Sequence, residues 1–192
     1  MIPEGSAWRR RCLGRFVVAL LLAVLPALAG AREPLRVAVI SDLNGSYGST
    51  HYETSVDAAI DRILAVRPDL VISTGDMVAG QRRPHLTRPE VERMWEAFHE
   101  HVSERLAGAG IPLAVTPGNH DGSAYDSFRL ERTIYAEQWA GRRPNVQFLD
   151  ESGYPFRYAF VAGDVLFIAL DATTVGHLPA EQMDWVLSLI HI

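Results

Sequence analysis

Asp42, Asp76, Asn119 and His120 are the residues of this chain whose types and placement could do chemistry. Each follows a short apolar run: Asp42 comes after residues 35–40, Asp76 after 70–73, and Asn119 with His120 after 111–116. A carboxylate at the end of a buried strand is costly to hold unless it meets a cation or hydrogen-bond donors. Two carboxylates brought side by side repel unless a metal lies between them. Asn119 adds a neutral amide oxygen, and His120 beside it is a group that can give a proton. Such a set suits a pair of hard or borderline ions, divalent or trivalent. Metal pairs about 3.5–4 Å apart serve in-line displacement at phosphorus. They lower the pKa of a bridging water to give hydroxide and neutralise phosphate oxygens, while a neighbouring His protonates the leaving oxygen. Singly, each Asp or Asn could be a turn or cap residue. Together, at successive strand ends, they point to a metal site.

The elements that must position them follow from apolar periodicity. Residues 35–40 and 70–73 read as short buried strands, the first leading into a Gly- and Ser-containing loop at 44–49. Between them, Val56, Ala59, Ile60, Ile63 and Leu64 recur at helical spacing after a start at Thr54 and Asp57, and Pro68 marks the end. Thr87 and Glu90 form a capping-box pair ahead of a second stripe, Val91, Met94, Trp95, Phe98, Val102 and Leu106, closed by Gly108 and Gly110. A third strand spans 111–116. A helix is expected over 125–140, strands over 156–161 and 165–170, and a last helix from about Pro179. The order β-α-β-α-β, then helix, then strand pair, predicts an α/β fold with helices on a largely parallel sheet. In such sheets functional groups gather at the carboxyl ends of the strands. His99 and His101 fall at the margin of the second helix and are expected to be solvated. Tyr47 and Tyr125, close to the motifs, are expected to pack rather than line a substrate pocket, and Asp171 to cap or turn the chain after its strand rather than bind a metal.

Three segments carry a family resemblance. Asp42-Leu43-Asn44, Gly75-Asp76 and Gly118-Asn119-His120-Asp121 resemble the first three motifs of the calcineurin-like metallophosphoesterases: D-x-H, G-D, and G-N-H followed by D or E. The resemblance runs from residue 35 to about residue 186. It implies a partial calcineurin-like α/β sandwich with a βαβαβ core and the metal site at the strand ends. By position, Asp42 would bind a first metal, Asp76 would bridge two metals, and Asn119 would bind the second and lie near the phosphate. His120 would be the catalytic residue, assisting the leaving group or stabilising the transition state. The implied cofactors are two divalent or trivalent ions, manganese, iron or zinc. Asn44 stands where the family has His. It is a candidate ligand that would bind the first metal directly, through water, or not at all, and its oxygen tilts the metal towards manganese. The family continues with a lone His and then G-H-x-H, but only His177 and His191 lie downstream here. Gly176-His177-Leu178-Pro179 has Pro in place of the second His, so His177 is expected to be an ordinary loop residue. His51 and His85, in loops, are not expected to replace the missing imidazole.

Bulk properties frame these residues. The chain has 192 residues, is 48% hydrophobic and 21% charged, and carries a net charge of −5. That is a globular composition with nothing to attract nucleic acid. Its one cysteine, Cys12, leaves no disulfide or thiolate metal site in the body. Arg9, Arg10 and Arg11 precede an apolar run over 16–29 and the small residues Ala29-Gly30-Ala31. Residues 1–31 are therefore expected to be a signal peptide, leaving a phosphoesterase domain over 32–192 in a periplasmic or secreted protein. The apolar run is shorter than the ~20 residues a spanning helix needs, so no stable membrane span is expected after cleavage. Residues 187–192 are what a sequencing-library transposase adapter end would encode. They are expected to be non-native, with the missing histidines lost beyond them. The expected function is export and hydrolysis of small phosphomonoesters or phosphodiesters, with little activity in the chain as it stands. The alternative is an inactive secreted binding or scaffold module of the same fold. D-L-N favours that alternative, and G-N-H-D favours the enzyme.

Overall fold

The apolar runs form two three-stranded sheets in the computed structural model, which describes residues 33–190. The expected signal peptide at 1–31, and His191 and Ile192 of the expected non-native end, lie outside the described residues. Strands β1 (Val37–Ile40), β2 (Leu70–Ser73) and β3 (Leu113–Val115) pair in parallel in the order β1-β2-β3. Ile40 pairs with Ser73 and Ser73 with Val115, so the three strands end abreast. Helix α1 (Thr54–Val66) makes the first crossover. The second runs through α2 (Arg88–Phe98), a π-helical turn at His99–Ser103 and α3 (Glu104–Gly108). One helical turn, α4 (Asn119–Gly122), and a 3-10 turn at Asp126–Phe128 lead into α5 (Arg129–Ala140). Strands β4 (Gln147–Gly153), β5 (Arg157–Ala162) and β6 (Val165–Ala169) form an antiparallel sheet, followed by α6 (Ala180–Ile190). Among the described residues no helix is long and apolar enough to cross a membrane.

Strand alternation sends each face of the parallel sheet to a different partner. Val71, Leu113 and Val115 face the helices in a core with Ile60, Trp95, Phe98 and Trp139. Leu70 and Ala114 face the antiparallel sheet, against Tyr158, Phe160 and Ala169. The Tyr158 hydroxyl joins the layers: it accepts the Val115 N–H at 2.8 Å and donates to the Val115 carbonyl at 2.7 Å. The expected capping box is present, with the Glu90 carboxylate accepting the Thr87 N–H at 2.7 Å.

Three expectations change. The helix expected over 125–140 begins at Arg129, after the 3-10 turn. Strand β4 had no strand pattern in sequence, because its pairing with β5 shifts register twice and breaks the alternation. His99 is not solvated: it is 3% exposed, packed against Trp95 and Trp139, with Nδ1 at 2.6 Å from the Ser103 hydroxyl and Nε2 at 3.1 Å from Gln138 Oε1. Burial, then the charge of Arg142, lowers its pKa to about 4.

Candidate active site

Two loop segments zip together where the parallel strands end. The Asp42 N–H reaches the Gly75 carbonyl at 3.2 Å, and the Asn44 N–H reaches the Asp76 carbonyl at 3.3 Å. Asp42 and Asp76 both take left-handed backbone conformations, with φ of 54° and 53°. Such residues cost on the order of 1 kcal/mol and cluster at functional sites. The loops also meet closely enough to dictate glycine. A Cβ on Gly75, whose φ is +109°, would stand 2.4 Å from the Gly118 nitrogen, and one on Gly118 would stand 2.2 Å from the Asp76 nitrogen. No side chain fits at either position, which is the physical reason for glycine in Gly75-Asp76 and Gly118-Asn119.

This apposition brings Asp42, Asp76 and Asn119 to one polar cavity of about 550 Å³, whose far wall includes Gln81, Tyr125 and residues 172–175. Asp76 Oδ1 accepts the His120 N–H at 2.9 Å, and Asp42 Oδ2 accepts the Ser41 hydroxyl at 2.5 Å. Among the described residues, no ion pair reaches either carboxylate.

The chain belongs to the calcineurin-like phosphoesterase family. That family's model matches residues 35–187. The fold is a partial form of the family's sandwich, and the family makes the chain a hydrolase of the phosphoesterase type. No curated protein matches the chain.

The phosphoesterase places its other candidate residues less centrally. Asn44 is half-buried off the cavity lining, its Nδ2 donating to the Val78 carbonyl at 3.3 Å. His120 is part-buried and off the cavity lining, with Nδ1 at 3.0 Å from the Gly80 carbonyl. A carbonyl only accepts, so Nδ1 carries the proton and Nε2 is left for other partners. Tyr47 and Tyr125 are not packed as expected. Tyr47 is 60% exposed with its ring 5.2 Å from that of His120, and Tyr125 lines the cavity. His51 and His177 are exposed in loops, and His85 rests on Phe128, all off the cavity. Asp171 takes the expected turn role, accepting the Thr173 N–H and hydroxyl, and also pairs with Arg132 at 2.5 Å.

One residue without a role in the sequence reading matters here. Asp121 is 1% exposed, and its Oδ1 accepts the Asp76 N–H at 2.9 Å, fixing the strained turn that presents Asp76. Among the described residues its Oδ2 is buried without a hydrogen-bond partner, and burial, then the charge of Asp76, raises its pKa to about 8.

The candidate ligands at the cavity, Asp42, Asp76 and Asn119, all offer oxygen, and among the described residues no cation balances the two carboxylates. That set fits a hard, oxygen-preferring ion. Among the described residues, no three His, Cys, Asp or Glu side chains cluster as metal ligands.

Proposed function

We propose that the chain is an exported, metal-dependent phosphoesterase that hydrolyses small phosphomonoesters or phosphodiesters at the carboxyl edge of its parallel sheet. The observation that carries this reading is the meeting of Asp42, Asp76 and Asn119 at one polar cavity, with carboxylates that no described cation balances. Asp42 would hold a first metal ion. Asp76 would hold both, and Asn119 would hold the second. Of manganese, iron and zinc, manganese suits the set best, since Asp42, Asp76 and Asn119 all offer oxygen where imidazole would favour iron or zinc. When bound, the pair supplies a hydroxide nucleophile and neutralises phosphate oxygens. The chain's own residues bind, orient and move a proton. Asp121 fixes the backbone of Asp76, and the exposed Asn119 amide is placed to meet a phosphate oxygen. His120, held through Nδ1 on the Gly80 carbonyl, would give the proton on Nε2 to the departing ester oxygen in its cationic form. Residues 1–31 support export to a periplasm or medium, and a net charge of −5 favours a small ester over nucleic acid.

A second reading is a binding module of the same fold without turnover. It is favoured by Asn44, whose amide is tied to the Val78 carbonyl off the cavity. Hydrolysis of nitrophenyl phosphate and of its diester in excess Mn²⁺ separates the two. The enzyme reading expects metal-dependent turnover that His120→Ala reduces at least ~100-fold. Turnover in the 192-residue chain should be low, because Asp76 and Asn119 are the second metal's only donors among the described residues. Metal binding with no hydrolysis of either ester beyond that of His120→Ala would favour the binding module instead.

A further inference from the structure

Glu131 is a carboxylate in the first turn of α5, 3% exposed and outside every motif of the sequence. Both its oxygens face one donor, the backbone N–H of Gln81, at 3.2 and 3.1 Å. Among the described residues it has no ion pair. Burying a charge for one backbone bond is a poor way to stabilise a fold, and an apolar residue there would serve better. What the bond holds is a strained turn. Gln81 has φ +65°, and a Cβ on the preceding Gly80 would stand 2.0 Å from the His120 carbonyl oxygen and 3.1 Å from Glu131 Oε2. The turn is thus wedged between the His120 backbone and Glu131. It carries the partners of the exposed Asn119 and the part-buried His120. The Gly80 carbonyl accepts His120 Nδ1–H at 3.0 Å, and Gln81 Oε1 accepts the Asn119 amide at 3.4 Å.

We propose that Glu131 is a positioning residue for His120 and Asn119, acting through the turn at residues 80–81; this rests on the reading of the site as a phosphoesterase centre. Without the Gln81 bond, the left-handed turn relaxes, the Gly80 carbonyl leaves His120 Nδ1, and the imidazole loses its fixed tautomer. The effect falls on the leaving-group side of the site and leaves the Asp42 loop untouched.

The test uses the whole 192-residue chain without metal or substrate. Ring ¹⁵N shifts of His120, taken where imidazole is neutral, report its tautomer, and amide exchange reports the Gln81 N–H. Wild type should show His120 protonated on Nδ1 and a protected Gln81 amide. In Glu131→Ala, Gln81 should exchange ~10–100-fold faster, the loss of a charge-assisted hydrogen bond. His120 should shift towards the Nε2–H form, with the parallel sheet still protected. Glu131→Gln keeps one acceptor oxygen, so it should retain the tautomer with a smaller rise in Gln81 exchange. If Glu131→Ala does not fold, the Glu131→Gln spectrum decides alone: unchanged Gln81 exchange overturns the proposal. So does wild-type His120 in the Nε2–H form, or an equal loss of protection across both sheets. No turnover enters these readouts, so failure of the hydrolase reading would be seen separately, in the ester assays.

Discussion

Asp42 is proposed as a residue kept for function at the expense of the fold. It sits at φ 54°, is exposed, and accepts one bond from Ser41. Asn tolerates the left-handed region about as well as Asp and keeps an acceptor. Asp42→Asn should therefore change metal-free stability by less than ~0.5 kcal/mol in a urea melt, while lowering Mn²⁺ affinity at least ~10-fold. A large loss of stability would assign Asp42 to the fold. Its position at the strand end was legible in sequence, because an apolar run leads directly to it. Asp121 and Glu131 were not. Each acts on a backbone N–H 45 or 50 positions away, so neither its burial nor its partner leaves a local pattern. Tyr47 and Tyr125 depart from expectation for a related reason: aromatic type suggests packing, but Tyr47 is exposed beside His120 and Tyr125 lines the cavity.

The elements were read well where a period ran unbroken and poorly where it was interrupted. The β1-α1-β2 unit and the capped start of α2 appear where apolar spacing placed them. Strand β4 was missed because two register shifts, between Phe148 and Asp150 and between Asp150 and Gly153, interrupt its alternation. The π-helical turn at His99–Ser103 hid a buried histidine, which α5 covers with Trp139 and Gln138. That turn has a pH consequence. The pKa of His99 is depressed from about 6.5 when unfolded to about 4 when folded, so the unfolded chain takes up the proton first. Its neutral form stabilises the fold fully above pH ~6.5, and this is lost as pH falls towards 4, by about 3 kcal/mol in all. His99→Gln should flatten that part of the stability–pH curve measured by thermal melting. An unchanged acid slope would mean that other groups set it.

At the scale of the whole molecule, the fold is a parallel sheet held between helices and a second sheet so that its three strand ends lie level. Tyr158 is the polar tie between the sheets, and it serves β3, the strand that carries the Gly118–Asp121 segment. Tyr158→Phe leaves the buried N–H and carbonyl of Val115 without their partner. It should cost ~2–4 kcal/mol in urea unfolding at constant m value. A loss below ~0.5 kcal/mol would show that the sheets are held by apolar contact alone. The central claim, however, is that this level edge is a metal site. The direct measurement is Mn²⁺ binding to the 192-residue chain, followed by electron paramagnetic resonance, for wild type, Asp76→Asn and the exposed control Asp126→Asn. The account predicts that wild type and Asp126→Asn bind alike and that Asp76→Asn loses at least ~10-fold in affinity. Equal binding by all three proteins, or none by wild type, would contradict it.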